Sequence, residues 1–221
     1  MIPTSPTVFH LAGGQSIVDL DQPENLVLEL AGDADVQYLA VVGLAQLRKR
    51  VCFRLLAGSR LRSYTLVCGS GSQQPVVDYR IEHVGRGSSA YTLVKGVFNQ
   101  AAHAEVTGLI SIPSSGNETE SFLEQRALLL SEAARANLQP QLQIEANDVR
   151  ASHAATIGHL DEEQLFYCQA RGIGRALAAG IIVEAFLADV LRHIPSLAVR
   201  QAVAQAIGGV LGLRAQSGEL R

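Results

Sequence analysis

The chain has 221 residues, of which 48% are hydrophobic, 18% charged and 5% aromatic, with no tryptophan. It is too apolar to be disordered and long enough to bury roughly 70% of its unfolded surface without a disulfide or metal staple. A formal net charge of −3 gives no global electrostatic reason to expect a nucleic-acid partner.

The start, MIPTSPTVFHLAGG, lacks the basic and long apolar regions of a signal peptide, so none is expected. Residues 1–25 read as irregular. From about Leu26 to Val149 the sequence reads as many short strands. Val51, Phe53 and Leu55 alternate with their neighbours, and so do Val77, Tyr79 and Ile81, and then Leu142, Ile144 and Ala146. This is the period-two signature of a strand with one wet face. Gly43, Gly58, Gly69, Gly85, Gly96 and Gly108 punctuate the runs at short, even intervals. That rhythm fits an all-β sandwich, barrel or solenoid. No long amphipathic helix falls between the strands, which argues against a doubly wound α/β fold. Arg48, Lys49, Arg50, Arg54, Arg60 and Arg62 lie close together but with few aromatics. They read as a solvated strand face rather than a nucleic-acid site. The segment Pro113 to Gln125, PSSGNETESFLEQ, reads as a polar loop, disordered or lid-like.

The strand texture stops near His153. Asp161 to Gln164 is a helix start, with an N-cap carboxylate and acids in the first turn, and Arg171-Gly172 is a stop. A second helix begins near Gly174, with Leu177, Ile181, Ala185, Ile182, Phe186 and Val190 on one apolar stripe. Pro195 opens a third, burying Leu197, Val203, Ile207, Val210 and Leu211. The tail from Arg214 reads as polar and frayed. No run of eighteen uncharged apolar residues exists, since Arg175, Glu184 and Asp189 interrupt the most apolar helix, so no membrane span is expected.

Catalytic signatures are missing: there is no GxGxxG, GxxxxGK[ST], GxSxG or HExxH. His153 and His159 stand six residues apart, which is not the spacing of a helical zinc pair. Cys52, Cys68 and Cys168 are far apart and odd in number, which suits a reducing cytoplasm and argues against a disulfide framework. Three thiols cannot supply the four of an iron–sulfur cluster. Packing is the expected role for all three.

The stretch Gln139 to Phe186 carries most of the information. Pro140-Gln141-Leu142, Asn147-Asp148-Val149, Ser152-His153, Ala155-Thr156, Gly158, Leu160 to Tyr167 and Arg171-Gly172-Ile173 follow one another in order. Upstream stand Lys95-Gly96, Val106-Thr107-Gly108 and Leu128 to Ser131 with Ala133. This pattern resembles the SufB/SufD family of iron–sulfur cluster assembly scaffolds, and SufD more than SufB. The resemblance is good from Val76 to Leu191 and loose over the first seventy residues. Ala151 stands where SufD often has Cys, Ala154 replaces a Gly and Asn147 an Asp. Family members also run to about twice this length, with an N-terminal helical region.

The resemblance implies a mainly β fold: a right-handed parallel β-helix core over residues 1–155, then a small α-helical domain over residues 156–221. It implies a non-catalytic scaffold that handles a transient iron–sulfur cluster and binds no ATP itself. The implied partners are a SufC-like ABC ATPase, docked on the helices, and a SufB-like subunit or a second copy, paired through the β-helix. His153 becomes a metal ligand shared with the partner subunit, and Asp148 a candidate to orient its ring. Asp161, Gln164, Arg171 and Phe186 become partner-binding residues, although by their own chemistry Asp161 to Gln164 read as a cap and Arg171 as a charge at a helix end. Two other readings remain. One is a β-solenoid carbohydrate-active enzyme or acyltransferase, which would need clustered carboxylates or a hexapeptide repeat. The other is a structural homodimer without cluster chemistry.

Overall fold

The computed structural model describes residues 6–20 and 23–213. Twelve strands precede three helices. The strands are β1 (Thr7–Leu11), β2 (Gly14–Asp19), β3 (Asn25–Leu30), β4 (Asp35–Val42), β5 (Arg48–Leu55), β6 (Arg60–Gly69), β7 (Val76–His83), β8 (Ser89–Phe98), β9 (His103–Ile112), β10 (Thr119–Leu129), β11 (Arg135–Ile144) and β12 (Val149–His159). The helices are α1 (Glu162–Ala170), α2 (Arg175–Leu191) and α3 (Leu197–Leu211). Odd strands form one six-stranded sheet in the order β1-β3-β5-β7-β9-β11, and even strands form the other, β12-β10-β8-β6-β4-β2. All pairings are parallel. A chain that alternates between two parallel sheets in this way is a β-helix, as expected.

The glycine rhythm has a backbone cause. Five of the six corners from an odd to an even strand turn through a left-handed residue: Gly13, Asp33, Gly58, Gly87 and Glu118 all have positive φ, and only the last corner, from β11 to β12, does not. At the opposite corner Gly43 has φ +104, and a Cβ there would lie 1.8 Å from the Cys68 carbonyl oxygen. Only glycine fits both constraints.

Between corners every second side chain points inward and stacks along the axis. Tyr38, Phe53 and Tyr79 are fully buried, and their rings pack edge to face with centroids 5.3 and 5.8 Å apart. Burying each such side chain contributes roughly 1.5–3 kcal/mol. Lys49, read from sequence as part of a solvated basic face, instead points inward: its Nζ lies 2.6 Å from Asp19, whose carboxylate also accepts the Tyr38 hydroxyl.

The strands reach further than expected. Two lie within residues 1–25, and β12 runs four residues beyond the boundary at 155. The polar segment Pro113 to Gln125 is a loop only as far as Glu118; from Thr119 it is β10, a central strand. Pro195 precedes the third helix rather than opening it: Ser196 is the N-cap, accepting from the Val199 N–H at 3.4 Å. The tail 214–221 lies outside the described residues.

The helices fold back on the outer face of the even sheet. Leu39, Val41, Tyr64, Leu66, Cys68, Leu93, Val97 and Leu128 meet Val183, Leu187, Val190, Leu191, Val203, Ile207 and Leu211 there. α2 therefore packs through a different side from the one its periodicity suggested. Leu177 and Ile181, expected inside, are 47% and 44% exposed, and Leu197 of α3 is exposed as well.

Candidate functional site

The β-helix ends in an open coil. β11 and β12 are the last strands of their sheets, and the chain leaves β12 directly into α1. Each therefore has one free edge of unpaired backbone groups. On β11 that edge is interrupted by Pro140, which has no N–H to offer. β12, VRASHAATIGH, contains no proline.

The inward row of this coil is uncovered. Along β10 the inward residues Ser121, Leu123, Gln125 and Ala127 are buried. Level with them on β12 stand Ala151, His153, Ala155 and Ile157. His153 thus holds the lattice position that buried Leu123 holds one coil earlier, yet it is exposed. Leu142, Ile144 and Ile157 share this end and are 36%, 40% and 47% exposed. The result is an apolar end face bearing an accessible imidazole.

Asp148, the candidate to orient His153, is not beside it. Asp148 is exposed and precedes β12; its carbonyl accepts from the Glu118 N–H at 2.6 Å. Four strand steps from Val149 to His153 span about 13 Å, so the fold does not bring Asp148 to the ring. His159 is on the same row but about 20 Å along the strand. Among the described residues no group of three His, Cys, Asp or Glu side chains comes together.

The helical tail carries a second surface. Asp161 caps α1, accepting from the N–H groups of Glu163 at 2.8 Å and Gln164 at 3.4 Å. The Gln164 side chain is exposed. Arg171 ends the helix and lies over the Tyr167 ring, 3.6 Å from its centroid. Of α1 only Leu165 is buried; Phe166 and Tyr167 are exposed, as are Leu177 and Ile181 on α2. A bidentate pair, Glu162 with Arg175, ties α1 to α2. Phe186 does not belong to this outer face. It packs partly buried against the sheet, and the Lys95 ammonium sits 4.7 Å above its ring.

Among the described residues, Lys95 is one of three β-helix side chains that donate to backbone carbonyls of the helical tail. Its Nζ donates to the Phe186 carbonyl at 2.6 Å and to Asp189 at 2.7 Å. That hydrogen bond holds the Asp189 carboxyl below its usual range. Gln37 donates to the His193 carbonyl at 3.0 Å and Asn99 to the Leu211 carbonyl at 2.9 Å. Sequence reasoning missed these clamps. The available signal was Lys95 itself, one of two lysines, in the apolar run TLVKGVF.

Other titratable groups are inert or structural. Burial, and then Glu82, pushes the Cys52 thiol up to about 11, and burial pushes Cys68 to about 12, so neither is a thiolate at neutral pH. Burial lowers His83 to about 4. Its ring lies 2.8 Å from Ser88 Oγ and 2.9 Å from Ser121 Oγ. Ser88 spends its own proton on the Gly85 carbonyl, so Nδ1–H donates to Ser88 and Nε2 accepts from Ser121. A groove of about 550 Å³ on the odd sheet holds Arg50, Cys52, Asp78, Arg80 and Gln141. Its single carboxylate, Asp78, accepts from Thr107 at 2.8 Å.

The family model for the core domain of the SufBD proteins, of the SUF system for iron–sulfur cluster assembly, matches residues 25–186. The chain belongs to the SufBD family. It is 34% identical over 143 residues to the iron–sulfur cluster assembly protein SufD of Bacillus subtilis, covering 65% of this chain and 33% of that protein. Against SufD of Escherichia coli it is 32% identical over 128 residues, covering 58% of this chain and 30% of that one. A SufBD family protein of Synechocystis is 32% identical over 115 residues, 52% of this chain and 25% of its own length. The chain is thus SufD-like, and the matches span about a third or less of these relatives' own length. No helix among the described residues is long and apolar enough to cross a membrane.

Proposed function

We propose that the chain is a non-catalytic, cytoplasmic scaffold subunit in a SufBCD-type complex. The open end pairs with a SufB-like subunit or a second copy, chiefly along the β12 edge. The pairing supplies what this chain lacks: hydrogen bonds for the free strand edge, cover for Leu142, Ile144 and Ile157, and further ligands for a nascent cluster. His153 contributes one neutral imidazole, a competent iron ligand but insufficient alone. The cluster is cargo, formed at the contact and passed on. Asp148 lies too far along the chain to orient the ring, so that role falls to the partner.

The exposed side of α1 and α2 receives a SufC-like ABC ATPase. Phe166, Tyr167, Leu177 and Ile181 give it an apolar centre, and Gln164 and Arg171 a polar rim. Asp161 shapes the surface by capping α1, and Phe186 supports it from behind. ATP chemistry resides in that partner.

The single observation that carries this reading is an exposed imidazole on the uncovered inward row of the last coil. The enzyme reading has little to set against it, because the odd-sheet groove contains one carboxylate and not a pair. Anaerobic reconstitution with SufB-like and SufC-like subunits tests the proposal. His153→Ala should leave assembly intact and cut iron–sulfur loading at least severalfold; unchanged loading removes the ligand assignment. Phe166→Asp with Leu177→Asp should abolish ATPase recovery in a pull-down while the SufB-like subunit is retained.

A further inference from the structure

The interior of the β-helix holds polar side chains that no neighbour answers. Ser63 on β6, Thr92 on β8 and Gln125 on β10 belong to the inward rows and are at most 1% exposed. Ser63 and Thr92 stand side by side in register. Thr92 is level with Leu123, so Gln125 stands one inward position further along the next strand. Ser63 Oγ, Thr92 Oγ1 and both amide atoms of Gln125 have no hydrogen-bond partner among the described residues. Elsewhere in the same core such groups are satisfied: Thr65 Oγ1 lies 2.5 Å from the Tyr79 hydroxyl, and His83 is held by Ser88 and Ser121.

Each buried polar group left unanswered lowers the folded population by roughly tenfold. Native interiors avoid this by holding ordered water, which needs two to four polar partners. Here two of the groups adjoin and the third stands one inward position away. The two hydroxyls are neighbours, and the Gln125 amide crosses to the opposite sheet at Gly108. A Cβ at Gly108 would lie 3.0 Å from Gln125 Nε2 and 2.6 Å from Leu123 Cδ2, so the wall there is bare backbone. None of the three side chains is charged, and apolar Leu123 and Val94 occupy the adjoining inward positions, level with Thr92 and Gln125 respectively. An ion would lose its hydration without gaining a counter-charge, whereas water loses little.

We propose that Ser63, Thr92 and Gln125 form a buried water-binding site that links β6, β8 and β10. One water bridges the two hydroxyls, and the Gln125 amide takes another. The site lies one coil beneath the end face: Leu123, level with Thr92, pairs with His153, and Gln125 pairs with Ala155. Ala155 is exposed and carries only a methyl group, so this end is the short route for exchange.

Oxygen-17 magnetic relaxation dispersion on the full chain counts long-lived internal waters. Thr92→Val and Gln125→Met keep the side-chain shape and remove the partners. Each should lower the count by at least one, and Thr92→Val should reduce the folded-to-unfolded ratio severalfold. An unchanged count in both variants overturns the proposal, as does a rise in the ratio for Thr92→Val, the result expected of a dry, unsatisfied hydroxyl. Should a variant not fold, a high-resolution crystal structure of the wild-type chain decides. Water density within hydrogen-bond distance of Thr92 Oγ1 and Ser63 Oγ supports the site, and its absence there refutes it.

Discussion

The two outer faces of this β-helix are built from strands of the same geometry and have opposite fates. On the odd sheet the outward row carries a charge ladder: Glu29 to Arg54 at 3.1 Å, Arg54 to Glu82 at 3.4 Å and Arg80 to Glu82 at 2.7 Å. On the even sheet one end of the outward row still carries charge, Arg62 to Asp35 at 2.7 Å, but its other end, including Leu39, Val41, Leu66, Leu93, Val97 and Leu128, is apolar, and α2 and α3 cover it. The inward rows do the folding on both sides, while the outward row alone determines whether a sheet meets water or helix. A buried polar group on the covered face, such as Lys95, then selects which helix arrangement fits rather than adding much stability.

Truncation breaks the contrast most directly. Leu66→Ala lies under the helices and is 1% exposed; it should cost about 2–5 kcal/mol in chemical denaturation. Acid tests the shared interior. Below pH 6.5 the unfolded chain binds a proton at His83 that the folded chain refuses until about pH 4. Stability should therefore fall as pH drops through that window, by on the order of 3 kcal/mol. His83→Gln should flatten that slope by up to one proton. On the covered face, Asp189→Asn strips Lys95 of its carboxylate, half exposed as that carboxylate is. About 1 kcal/mol should be lost, with faster trypsin cleavage at Arg192 and Arg200; Lys95→Met should cost less than Asp189→Asn. The smallest effect belongs to the open face, where Arg54→Ala should change stability by no more than about 1 kcal/mol. An Arg54 effect as large as that of Leu66 would erase the distinction between the two faces.

Much of this was legible in the sequence, and the failures have physical causes. Val51, Phe53 and Leu55 announce β5 because apolar and wet positions alternate cleanly. β10 was hidden because Thr119, Ser121 and Gln125 occupy inward positions, so its alternation is polar on both rows and resembles a loop. α2 is apolar nearly all round, so periodicity could locate the helix but not its buried side. The motif around His153 marked that residue, but its exposure depends on which coil is last. That is a fact of three-dimensional register that no local pattern carries.

The proline in β11 gives the end face a handedness of use. A backbone ribbon arriving at this end finds one rail broken and the other continuous over eleven residues. A neighbour laid antiparallel along the whole intact rail would be centred on Ala154, so the side chain one residue past its own midpoint, the one opposite His153, is delivered to the imidazole's face.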